Sequence, residues 1–122
     1  MDARNGRPPR ILVVDDDTHL LLAVKDILND AGYETRTAAD GHAAIQRIST
    51  FLPDAIVLDL MMPYVNGFEV LDWLKQQGIS VPVVVATTDE DRTAAELGVV
   101  VKLAKPFTMD QLLDSLTLAL GG

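Results

Sequence analysis

The strongest constraint on this chain is an alternation of two hydrophobic patterns. Short continuous apolar runs (Ile11-Leu12-Val13-Val14, Ala55-Ile56-Val57-Leu58, Val81 to Ala86 and Val99-Val100-Val101) take turns with segments whose apolar residues recur at helical spacing. A short unbroken aliphatic run fits a strand covered on both faces. Between these runs, Leu20, Leu21, Val24, Ile27 and Leu28 form a helical stripe that Gly32 stops. Ala43, Ala44, Ile45 and Ile48 mark a helix that ends before Pro53, and Phe68, Val70, Leu71 and Leu74 mark another, closed by Gly78. Tyr33 to Thr37 alternates more weakly and reads as an edge strand. Pro82 falls near the start of its strand, where a missing N–H does least harm. Asp89 to Leu97 is expected to form a short polar helix ended by Gly98. The last helix opens on a capping box, Thr108 with Gln111, and carries a core stripe of Met109, Leu112, Leu113, Leu116 and Leu120. Five strands alternating with five helices predict an α/β fold, a parallel sheet with right-handed crossovers.

At 122 residues the chain fits one domain. The expected division is a flexible leader over 1–9, a folded unit over 10–120, and a tail or linker start at 121–122. The absence of cysteine excludes disulfides, thiolate metal sites and cysteine nucleophiles, and fits a reducing compartment. A formal net charge of −8 argues against direct nucleic-acid binding, which needs Lys and Arg to neutralise phosphates. No apolar run approaches the ~20 residues that span a bilayer, and Met1-Asp2-Ala3-Arg4 starts no signal segment. A cytoplasmic location without membrane association is the expectation.

In an open parallel sheet the functional crevice lies at the carboxyl ends of the strands. Here those ends carry Asp15-Asp16-Asp17, Asp59, Thr87-Thr88, and Lys105-Pro106. Carboxylates converging on one crevice repel each other unless a cation compensates. An all-oxygen donor set without Cys or nearby His favours Mg²⁺ over zinc or copper. A divalent ion, a lysine and a hydroxyl around one carboxylate would stabilise a transferring phosphoryl group by charge. Asp17, third in its run, reads as a helix cap. His19 and His42 read as surface residues, and Trp73 as partly buried.

Four motifs in order resemble the receiver domain of bacterial response regulators, the two-component and phosphorelay family. They are Val13-Val14-Asp15-Asp16, Asp59-Leu60-Met61-Met62-Pro63 with Gly67 eight residues after Asp59, Pro82 to Thr87, and Lys105-Pro106-Phe107. The resemblance runs from about Arg10 to Leu120. It implies a doubly wound, flavodoxin-like fold with strand order 2-1-3-4-5, the order of chemotaxis receivers. It also implies that Asp59 is the phosphoacceptor, taking a phosphoryl group from phosphohistidine. Mg²⁺ would be held by Asp16 directly, by Asp15 through water, by Asp59 and by the backbone carbonyl of Met61. Lys105 would pair with Asp59 and then with the phosphoryl oxygens. Thr87, with Thr88 as its small neighbour, would swing its hydroxyl onto the phosphoryl group, and the Lys105–Pro106 bond would be cis. The implied partners are a sensor histidine kinase or histidine phosphotransfer protein, and a downstream protein target or output domain. Such a chain is a signalling module that catalyses only its own phosphotransfer and dephosphorylation.

The sequence departs from that family in three places. Thr87 to Lys105 is short by roughly one helical turn, which shortens the helix 4 region. Lys102 stands where Tyr or Phe is common, and Asn66 where Asp is frequent. An ammonium cannot be drawn inward like a ring without a partner, so Lys102 is expected to stay solvated. Any signal should then pass through Thr87, the Thr88–Asp91 loop and the start of the short helix, and any homodimer would use a non-standard face. Two alternatives compete. Asp15-Asp16-Asp17 superficially fits the Asp-x-Asp of haloacid-dehalogenase-type phosphatases, but His19 stands where they carry Thr or Val. A degenerate receiver acting as a phosphorylation-independent interaction module is the other.

Overall fold

The computed structural model describes residues 6–121. Five strands, β1 (Arg10–Val14), β2 (Glu34–Ala38), β3 (Ala55–Leu58), β4 (Val83–Thr87) and β5 (Val101–Ala104), alternate with α1 (Thr18–Asp30), α2 (Gly41–Phe51), α3 (Gly67–Gln76), α4 (Ala94–Leu97) and α5 (Met109–Ala119). All the strand pairings are parallel and the order is β2-β1-β3-β4-β5, the doubly wound arrangement that the sequence predicts.

The period of two along each strand divides the core. Leu12, Val14, Ile56, Leu58, Val83 and Val85 face α2 and α3, where Ala44, Ile48, Val70 and Leu74 meet them. Ile11, Val13, Ala55, Val57, Val84 and Ala86 point the other way, onto Leu21, Val24 and Leu28 of α1 and Leu112 and Leu116 of α5. Burial on both sides is why the central strands read as unbroken apolar runs. Trp73 is partly buried against the first of these clusters.

Several boundaries differ from the sequence reading. β4 starts at Val83, past Pro82, which supplies only a carbonyl, to the Ile56 amide. β2 is displaced by one residue because the Tyr33 amide closes α1 on the Leu28 carbonyl. β5 covers Val101–Ala104 rather than Val99–Val101. The reason lies in the preceding helix: the Val99 and Gly98 amides bond back to Ala94 and Ala95 carbonyls, with Gly98 left-handed at φ 71°. α4 itself does not begin at Asp89 but spans only Ala94–Leu97, opened by a Thr93–Glu96 capping box. Met109, expected in the core stripe, is 52% exposed because it is the first residue of α5, where the chain is still arriving from solvent.

At the opposite end of the sheet from the carboxyl tips, Arg10 and Arg36 lie over the Phe51 ring and both pair with Glu34. Ahead of β1, Arg7 pairs with Asp54 at 3.1 Å, and the Pro9 carbonyl accepts from the Glu34 amide. Residues 1–5 of the expected leader lie outside the described residues.

Candidate functional site

The sheet hydrogen bonds continue one residue beyond β1 and β3. The Asp15 amide donates to Ala38 and the Asp59 amide to Val14, so both aspartates are fixed side by side at the strand tips. Each is about 5% exposed. Each carboxylate also accepts a local amide, Asp17 N–H on Asp15 Oδ1 at 2.9 Å and Met61 N–H on Asp59 Oδ1 at 3.0 Å. Asp16 is exposed, and Asp15, Asp16 and Asp59 each offer an oxygen within 4.8 Å of the others. Asp17 accepts from the His19 and Leu20 amides, the helix cap that the sequence indicates, and His19 and His42 are on the surface.

Lys105 reaches across from the far side of the sheet. Its Nζ donates to Asp15 Oδ2 and lies 3.3 Å from Asp59 Oδ2, while its amide donates to the Thr87 carbonyl. The Lys105–Pro106 bond is cis. Burial is the main influence on Asp59 and raises its pKa. The Met61 amide and Lys105 oppose this, Asp15 reinforces it, and the net direction is upward. Burial by itself would lower Lys105, but the Asp15 and Asp59 carboxylates outweigh it, so its pKa is raised.

The Lys105 ammonium therefore meets two of the three clustered carboxylates, and negative charge remains to be compensated. The donors are all hard oxygens, two of them preorganised by backbone N–H groups. That chemistry fits Mg²⁺ and does not suit softer metals. Gly67 shapes the loop under the site. A Cβ there would stand 2.3 Å from the Asp59 carbonyl oxygen, so no side chain fits between the start of α3 and the end of β3. Gly41 meets the same loop at Val65, with the Gly41 amide donating to the Val65 carbonyl. The sequence reading did not single out Gly41.

Of the two adjacent threonines at the tip of β4, Thr87 is buried and Thr88 exposed. Thr87 Oγ1 accepts from the Asp89 amide at 3.2 Å. Lys102, expected in solvent, is instead folded against the protein, with its side chain only 16% exposed. Its Nζ donates to the Arg92 carbonyl and lies 3.7 Å from Asp89 Oδ2. The premise that an unpaired ammonium resists burial stands, but Asp89 supplies a partner. The Arg92 guanidinium lies 4.6 Å from the centre of the Phe68 ring.

Comparison with known proteins agrees with this architecture. The family described as "Response regulator receiver domain" matches residues 11–117. Response regulator MprA of Mycolicibacterium vanbaalenii is 39% identical over 110 residues, covering 87% of this chain and 48% of that protein. The alkaline phosphatase synthesis transcriptional regulatory protein PhoP of Bacillus subtilis is 36% identical over 103 residues, covering 81% and 43% respectively. The chain thus spans about half the length of the curated relatives it matches. Among solved structures, the signal receiver domain of a putative Luxo repressor protein from Vibrio parahaemolyticus superposes with a TM-score of 0.86 at 35% identity, covering 93% of this chain and 91% of that one. With its motifs on successive strand tips and its sheet in the order 2-1-3-4-5, the chain belongs to the response regulator receiver domain family.

Proposed function

We propose that Asp59 accepts a phosphoryl group from phosphohistidine and that the domain, residues 10–120, signals by the change this makes to its surface. The observation that carries the proposal is the convergence of Asp15, Asp16 and Asp59, with the Lys105 ammonium bridging two of them. An Asp59 carboxylate oxygen attacks phosphorus. The P–O bond forms as the P–N bond breaks, and the electron pair leaves on the imidazole nitrogen, which takes up a proton. Asp16, Asp59 and the Met61 carbonyl would hold Mg²⁺ directly and Asp15 would hold it through water, and the bound ion would supply charge neutralisation for the transferring oxygens. Lys105 meets the same oxygens from the other side, and Thr87 donates its hydroxyl to one of them. Asp59 suits the acceptor role because Met61 N–H and Lys105 orient its two oxygens separately.

The donor is a sensor histidine kinase or histidine phosphotransfer protein in the cytoplasm. The reader is a downstream protein or an output domain, a reading supported by relatives of about twice this length. Incubation with acetyl phosphate and Mg²⁺ should raise the intact mass by one phosphoryl group, and Asp59→Asn should abolish the gain. At Mg²⁺ about 100 times its dissociation constant, linkage predicts roughly 2.7 kcal/mol of added stability, most of it lost in Asp16→Asn. Equal labelling of Asp59→Asn, or no labelling of the native chain while the fold is intact, refutes the proposal. The second outcome leaves a phosphorylation-independent interaction module as the surviving reading.

A further inference from the structure

Beside the proposed acceptor site lies a partly buried ion pair that the chemistry above does not use. Thr87, Thr88, Asp89, Glu90, Lys102 and Lys105 line one cavity of about 490 Å³, so Asp89 and Lys102 share a chamber with the lysine that touches Asp59. Asp89 is held there by weak means. Its amide donates to Thr87 Oγ1 at 3.2 Å, its Oδ2 is buried without a hydrogen-bond partner, and the Lys102 ammonium is 3.7 Å from that oxygen. The same ammonium donates to the Arg92 carbonyl, and Arg92 packs over Phe68. These contacts bracket the segment 89–92, which has no regular secondary structure.

We infer that Asp89 and Lys102 form an ionic latch tying this segment to β5, and that a phosphoryl group on Asp59 opens it. The inference rests on the acceptor role proposed for Asp59. Phosphorylation replaces the single charge of the Asp59 carboxylate with a group carrying about −1.5 to −2, a net gain of up to about one negative charge, and a neighbouring carboxylate is then disfavoured by repulsion. Asp89 is poorly held against that change, because one of its oxygens already lacks a hydrogen bond. Recruitment of the Thr87 hydroxyl to a phosphoryl oxygen also competes with its bond to the Asp89 amide. With both anchors weakened, Lys102 keeps only the Arg92 carbonyl, and the segment before α4 is released. Asp89 and Lys102 are positioning residues in this scheme. They touch neither the phosphoryl group nor the metal.

Linkage makes the latch measurable. If occupancy of Asp59 opens it, removing it must tighten binding at Asp59 by the same factor. Beryllofluoride with Mg²⁺ serves as the phosphoryl mimic, with binding followed by titration and amide exchange read at 88–93. In the native chain the adduct should speed exchange at these amides about tenfold. Lys102→Met, which keeps the aliphatic stem, should show that fast exchange without adduct and bind beryllofluoride about tenfold more tightly. Asp89→Asn should do likewise, and Lys102→Arg should restore native behaviour. A purely structural lysine would give a variant that binds more weakly or equally, and either result overturns the latch. So does an adduct on the native chain that leaves exchange at 88–93 unchanged. If no adduct forms on Asp59, the proposed function fails and the adduct-triggered opening fails with it. Exchange in adduct-free Lys102→Met then decides separately whether the ion pair ties down the segment.

Discussion

Asp59 is a carboxylate that the fold holds at some expense to its charged form. Burial raises its pKa above the ordinary value, and the Met61 amide and Lys105 recover only part of that penalty. A raised carboxyl pKa contributes stability that is fully present below the unfolded value of about 3.9 and is lost as pH rises through the folded value. The metal-free domain should therefore lose stability as pH rises above about 4, and Asp59→Asn should remove that part of the pH dependence. Urea unfolding without Mg²⁺ checks this: at neutral pH the variant's midpoint should exceed the native one, and at pH ~3.5 the two should converge. A variant midpoint below the native one at neutral pH would mean that Lys105 more than repays the burial. Lys105 adds a separate slope. Its raised pKa gives stability that is present below about 10.4 and is lost only at more alkaline pH.

Among the elements, β2 carries a local defect that can be repaired. Thr35 sits on it at 1% exposure, paired in register with Ile11, and its Oγ1 has no hydrogen-bond partner. Thr35→Val replaces the stranded hydroxyl with a methyl of similar shape and should stabilise the domain by about 1 kcal/mol, seen as a higher urea midpoint at unchanged slope. A loss of stability would indicate that water reaches the hydroxyl. The elements also show what sequence patterning can and cannot reveal. α1, α2, α3 and α5 were legible because each lays an apolar stripe on the sheet, and the cluster of Asp15, Asp16, Asp59 and Lys105 was legible because its groups stand at the tips of apolar runs. The region around α4 was not. Asp89 bonds to the nearby Asp91 amide and so competes with helix, the Thr93–Glu96 capping box starts α4 only at Ala94, and Val99 looks like strand but closes a helix end. The Asp89–Lys102 pairing joins residues on different segments, and no local periodicity encodes it.

Across the whole molecule, the crevice is assembled from parts remote in sequence. Lys105 and Asp15, 90 positions apart, bond directly, and Asp59 comes from a third segment and Thr87 from a fourth. None of these groups can meet another until β1, β3, β4 and β5 lie in register. Acetyl phosphate labelling of Asp59 should therefore fall across a urea series in step with the fluorescence of Trp73, which packs against the core on α3. Labelling that outlasts the fluorescence change would mean that part of the crevice survives without the sheet. The split origin of the crevice thus acts as a form of proofreading. If Asp59 takes the phosphoryl group, a nascent, clipped or misfolded copy has no assembled crevice to receive it, and the message is confined to properly folded copies.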